Sequence, residues 1–161
     1  MHVQVLTVRT WMPILPSTPQ HEEPTTAEAE CPPEIFVVDD DLSTLQLLCD
    51  IARDAGWTAH GFTRLSGLRR ALDDGPPALI ILDDDLPDGR GGDLARELHA
   101  DGRMADVPIL VCTAAHPMRQ AEIGAWAPVV SKPFDLSQIE AFLRAAANRH
   151  EGSDRYDQRA G

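Results

Sequence analysis

Apolar residues come in two rhythms along this chain, and their alternation predicts its elements. Unbroken apolar runs stand at residues 35–38, 79–82 and within 107–113. Runs this short, rich in β-branched residues, read as strands buried on both faces of a parallel sheet. Residues 57–62 form a weaker second strand, and Val129-Val130-Ser131 a short fifth. Between the runs the apolar spacing turns helical. Leu45, Leu48, Cys49 and Ala52 make one stripe, ended by Gly56, and Leu65, Leu68 and Leu72 make another, closed by Gly75-Pro76-Pro77. Leu94 and Leu98 mark a third helix. Ile139, Phe142, Leu143 and Ala146 mark the last, with Asp135 and Gln138 resembling a capping box at its start. Strands alternating with helices, joined by right-handed crossovers, predict an α/β fold: a doubly wound parallel sheet of five strands with helices on both faces.

Two of the strands end in acids. Val38 runs into Asp39-Asp40-Asp41, and Leu82 into Asp83-Asp84-Asp85. In open α/β sheets the carboxyl edge is where sites form, and neighbouring strands lie only ~4.8 Å apart. Two carboxylates ~5 Å apart at an effective dielectric of ~20 repel by about 3 kcal/mol. Several such groups in one pocket call for a positive partner. Oxygen-only ligands with room for water suit a hard divalent cation, Mg²⁺ or Mn²⁺.

Outside residues 34–148 the pattern fades. Residues 1–33 are rich in proline, threonine, glutamate and alanine, and are expected to form a disordered extension. Its first eleven residues make a poor signal peptide, because Arg9 interrupts them and no compact apolar stretch precedes a cleavage site. Residues 149–161 are polar and read as a flexible tail. The 161 residues carry a formal net charge of -12, which argues against direct nucleic-acid binding or attachment to a membrane surface. Cys31, Cys49 and Cys112 show no metal-type spacing and read as reduced thiols of a cytoplasmic protein, Cys49 and Cys112 buried.

Five features stand in chain order at or just behind strand ends: Asp39-Asp40, Asp83, Leu86-Pro87 with Gly91, Thr113-Ala114, and Lys132-Pro133-Phe134. Together they resemble the receiver domain of two-component response regulators over about residues 34–148. The resemblance implies a flavodoxin-like strand order of 2-1-3-4-5. It implies Asp83 as phosphoacceptor, Asp40 as a direct Mg²⁺ ligand, Asp39 as a ligand through water, and the backbone carbonyl of Asp85 as a further ligand. Lys132 would pair with the acids and then with a phosphoryl oxygen, Thr113 would turn its hydroxyl onto another, and Lys132-Pro133 would be cis. The implied partners are a sensor histidine kinase or a histidine phosphotransfer protein, and a downstream protein target. Only a short polar tail follows the last helix, so a single-domain regulator working through protein–protein contact is expected.

Other residues read more plainly. Asp41 is expected to start the first helix and Asp84 to face solvent. His60 and His116 show no partnering pattern, and Trp57 and Trp126 read as packing residues. Three departures from the family stand out. Residues 113–132 are about three residues shorter than usual and contain Pro117, Gly124 and Pro128, so the fourth helix should be short or irregular. Val129 stands where receivers usually carry a switch aromatic, and Arg90 where many carry an acid. Asp85 and Ala115 occupy positions that tune acyl-phosphate lifetime in the family.

Two alternatives compete. One is a receiver-shaped docking module that is never phosphorylated, favoured by Val129. The other is a haloacid-dehalogenase-like phosphatase using Asp83 and Asp85, disfavoured by Pro87 where Thr or Val would stand.

Overall fold

The computed structural model describes residues 31–157. The expectations for the leader up to residue 30 and for residues 158–161 lie outside the described residues. Five parallel strands make the main sheet: β1 (Glu34–Val38), β2 (Thr58–Phe62), β3 (Leu79–Asp83), β6 (Ile109–Thr113) and β7 (Val129–Ser131), in the order β2-β1-β3-β6-β7. Two-residue strands β4 (Asp85–Leu86) and β5 (Gly89–Arg90) form a small antiparallel ribbon between β3 and the next helix. Counting main-sheet strands alone, the order is 2-1-3-4-5, as expected.

The three central strands are buried on both faces because alternate side chains feed different cores. Phe36, Val38, Ile80, Leu82, Ile109 and Val111 meet α2 (Leu65–Asp74), α3 (Gly91–Ala100) and Ile123 of α4 (Pro117–Ile123). Ile35, Val37, Leu79, Ile81, Leu110 and Cys112 meet α1 (Leu42–Asp54) and α5 (Leu136–Asp157). A strand with no polar alternation therefore marks a sheet covered twice. Cys49 and Cys112 lie in the second core, and burial pushes the Cys112 thiol up to about 12.

Local chemistry sets the helix ends. Asp41 starts α1 by accepting from the Thr44 N–H at 2.7 Å, and Asp135 accepts from the Ser137 N–H at 3.0 Å at the start of α5. Helix α4 has only seven residues, opened by Pro117 and ended at Gly124, as the short, proline-bearing segment predicted. Helix α5 continues to Asp157, past the boundary at 148 drawn from composition; its polar residues include no proline to stop it. Helix α2 is capped from a distance. Its own Arg64 gives no side-chain cap, and Asp88, in the turn between β4 and β5, accepts from the Leu65 and Ser66 N–H groups at 2.9 Å each.

Candidate functional site

Register brings the acids together. Val38 pairs with Leu82, so the residues that follow, Asp39 and Asp83, come level at the carboxyl edge of two adjacent strands. Ser131 pairs with Thr113, and the next residue, Lys132, donates its N–H to the Thr113 carbonyl at 2.8 Å. From the end of β7 the Lys132 side chain reaches back across the edge. Its Nζ lies 2.6 Å from Asp39 Oδ2 and 3.2 Å from Asp83 Oδ1. The Lys132-Pro133 peptide is cis.

Asp39 is 1% exposed, and its other oxygen accepts from the Asp41 N–H at 3.0 Å. Asp40 is exposed, but it offers an oxygen within 4.8 Å of oxygens from Asp39 and Asp83. One ammonium thus bridges two carboxylates, with a third close to both. Burial pushes the pKa of Asp83 above the ordinary carboxylate value, outweighing Lys132, and Asp39 adds to the rise. Burial works against the Lys132 charge, yet the two acids prevail and raise its pKa. Thr113 is buried beside them, its Oγ1 accepting from the Ala115 N–H at 3.0 Å. The donor set is all oxygen, with no imidazole or thiolate, so the residues present fit a hard divalent cation.

The junction between β3 and α3 leaves no space. A Cβ on Gly91, the first residue of α3, would stand 2.0 Å from the Asp83 carbonyl oxygen and 2.8 Å from Leu82 Cγ. Glycine there lets α3 begin directly against the end of β3, and the Gly91 N–H donates to the Asp84 carbonyl at 3.0 Å. Asp85 is exposed and pairs with Arg90 at 2.9 Å, a surface contact of little energetic weight.

The solvent-facing expectation for Asp84 is wrong. It is 0% exposed and accepts from the Gly92 N–H at 2.9 Å, while Arg119 of α4 donates to both its oxygens at 3.0 and 3.2 Å. Burial works against this charge, but the Arg119 and Gly92 bonds outweigh it and hold the carboxyl below its usual range. The residue after Asp83 points to the opposite face of the sheet, towards α3 and α4. That alternation was the only signal in the sequence, and the partner stands 35 positions away.

The remaining candidates are structural. His116 Nδ1 accepts from the Met118 N–H at 3.4 Å at the start of α4, and His60 packs edge-on against Phe36. Trp57 is buried, whereas Trp126 is 46% exposed beside His99, so only the first is a full core residue.

A profile of the response regulator receiver domain matches residues 35–144. The chain is 34% identical over 119 residues to the transcriptional regulatory protein GltR of Pseudomonas aeruginosa, covering 70% of this chain and 49% of that protein. Identity to the DNA-binding response regulator MtrA of Mycolicibacterium smegmatis is 32% over 120 residues, covering 73% and 51%. The chain spans about half the length of these curated relatives. Among solved structures, the signal receiver domain of an HD domain-containing protein from Pseudomonas fluorescens superimposes with a TM-score of 0.68 at 23% identity, covering 82% of this chain and 98% of that one. The Francisella response regulator 1452 receiver domain gives 0.66 at 16% identity, covering 73% and 98%. At these identities the likeness is one of fold.

Proposed function

The chain belongs to the response regulator receiver domain family, and from that premise we propose that Asp83 accepts a phosphoryl group from the phosphohistidine of a sensor histidine kinase or a histidine phosphotransfer protein, and that a protein partner reads the result. The observation that carries this reading is the Lys132 ammonium held between Asp39 and Asp83, with Asp40 alongside.

In the transfer, a carboxylate oxygen of Asp83 attacks phosphorus. The new O–P bond forms as the donor's P–N bond breaks, and the electron pair leaves with the imidazole. Asp40, Asp39 and Asp83 would hold Mg²⁺ or Mn²⁺, with the Asp85 backbone carbonyl as a further ligand. The ion, when bound, supplies positive charge against the oxygens of the transferring group. Lys132 stands where it can exchange an Asp83 oxygen for a phosphoryl oxygen. The Thr113 hydroxyl would leave the Ala115 N–H for another phosphoryl oxygen, coupling the site to the loop before α4. A cytoplasmic setting suits the two buried, reduced thiols. Among the described residues no helix is long and apolar enough to cross a membrane.

A small phosphodonor with Mg²⁺ is expected to add one phosphoryl group, read by intact mass spectrometry, and Asp83→Asn is expected to take up none. Equal labelling of the two proteins would move the phosphoacceptor elsewhere. Val129 favours a second reading, constitutive docking, because a half-buried valine has no ring to swing. Partner affinity measured with and without beryllofluoride separates the two: equal affinities would favour the docking module. Family membership leaves the phosphatase alternative without support.

A further inference from the structure

Helix α4 buries only Ile123, so apolar packing does little to fix its position and polar ties must decide it. Those ties run to both flanks. Towards α3, Arg119 donates to Asp84 Oδ2 at 3.2 Å, to Asp84 Oδ1 at 3.0 Å and to Asp93 Oδ1 at 3.1 Å, with Glu122 of its own helix at 3.5 Å. Towards β7, the next residue, Gln120, donates to the Ala115 carbonyl at 2.8 Å and accepts from the Ser131 hydroxyl at 2.8 Å. Ala115 in turn holds the Thr113 hydroxyl, and Ser131 directly precedes Lys132. Two consecutive residues of one short helix therefore touch the neighbours of Asp83, Thr113 and Lys132.

We propose that the Asp84–Arg119 ion pair is a latch that holds α4 in its unphosphorylated arrangement and thereby sets how readily the Asp83 site takes up a phosphoryl group. The proposal rests on the phosphoacceptor reading of Asp83 and adds the device that regulates it. Asp84 is wholly buried, so moving Arg119 away would strand a carboxylate without its cation. Breaking the pair is therefore strongly opposed. Turning Thr113 towards a phosphoryl oxygen withdraws the acceptor from Ala115 and loosens the Gln120 side first. Arg119 remains as the restraint on full displacement. A restraint that opposes the phosphorylated arrangement must weaken phosphoryl uptake by the same factor, because coupling between two sites is reciprocal. Charge and hydrogen bonds would then carry the coupling that an aromatic ring at Val129 cannot.

The test titrates the full chain with beryllofluoride in the presence of Mg²⁺ by calorimetry, and follows hydrogen exchange across residues 115–127. Arg119→Gln is one variant. The double variant Asp84→Asn with Arg119→Leu is the second, and it leaves no unpaired buried charge if the first fails to fold. Uptake is expected to tighten about tenfold in the folded variants, within the usual range of coupling between sites. Exchange over residues 115–127 is expected to quicken before beryllofluoride is added. Arg119→Lys, which keeps the charge but not the two-pronged contact, should fall between. Affinities that stay within about twofold of the native chain, or that weaken, overturn the latch while leaving the phosphoacceptor reading intact. A native chain that takes up no beryllofluoride overturns both.

Discussion

Asp83 carries its charge close to Asp39 and Asp40, and burial outweighs Lys132 in raising its pKa. A carboxyl whose folded pKa lies above its unfolded value weakens the fold when ionised. Asp83→Asn keeps the shape and removes the charge, so without metal at pH 7 it is expected to raise the thermal midpoint. Mg²⁺ should reverse the ranking. At ten times its dissociation constant a bound ion stabilises the native chain by about 1.4 kcal/mol, and the variant, having lost one of three carboxylates, should gain less than half of that. Thermal midpoints with Mg²⁺ and with chelator check both statements. A variant that is weakened without metal and keeps the full Mg²⁺ response would mean that the three acids do not form one cation site.

Two helices owe their start to one residue each, α3 to its own Gly91 and α2 to the distant Asp88. Helix α3 can start against β3 only because Gly91 lacks a Cβ, since the nearest obstacle is backbone oxygen, which cannot swing aside as a flexible side chain could. Gly91→Ala is therefore expected to cost about 3 kcal/mol in denaturant unfolding, and to slow phosphorylation by displacing the Asp83 carbonyl. Unchanged stability would mean that α3 is not pinned there. Helix α2 depends on Asp88, whose carboxyl is held below the ordinary range by the Ser66 and Leu65 N–H groups. A depressed folded pKa contributes stability above the unfolded value of ~3.9, and that contribution fades as pH falls through the folded value. Asp88→Ala should thus lower the thermal midpoint at pH 7, with the gap from the native chain narrowing below about pH 4. A gap that stays constant with pH would show that the charge on Asp88 does not matter to the cap.

At the scale of the whole molecule, the sheet and the gathering of Asp39, Asp40, Asp83 and Lys132 at its edge were legible because both follow from strand ends. Apolar runs without alternation mark strands covered on two faces, and residues one step beyond them must gather at one edge. Asp39 and Lys132 meet across 93 positions, yet each is found from its own strand. The small β4–β5 ribbon, the Asp88 cap on α2 and the burial of Asp84 were not legible. Asp88 serves a helix 22 and 23 residues earlier, and Asp84 an arginine 35 residues later. What the sequence alone determined is the main-sheet strands and the helices, their order and the acids at the strand tips, because periodicity and strand termination are local properties of the chain. What only the tertiary structure decided is which polar groups satisfy one another across elements. A buried carboxylate and a solvated one look alike until the element that covers them is in place.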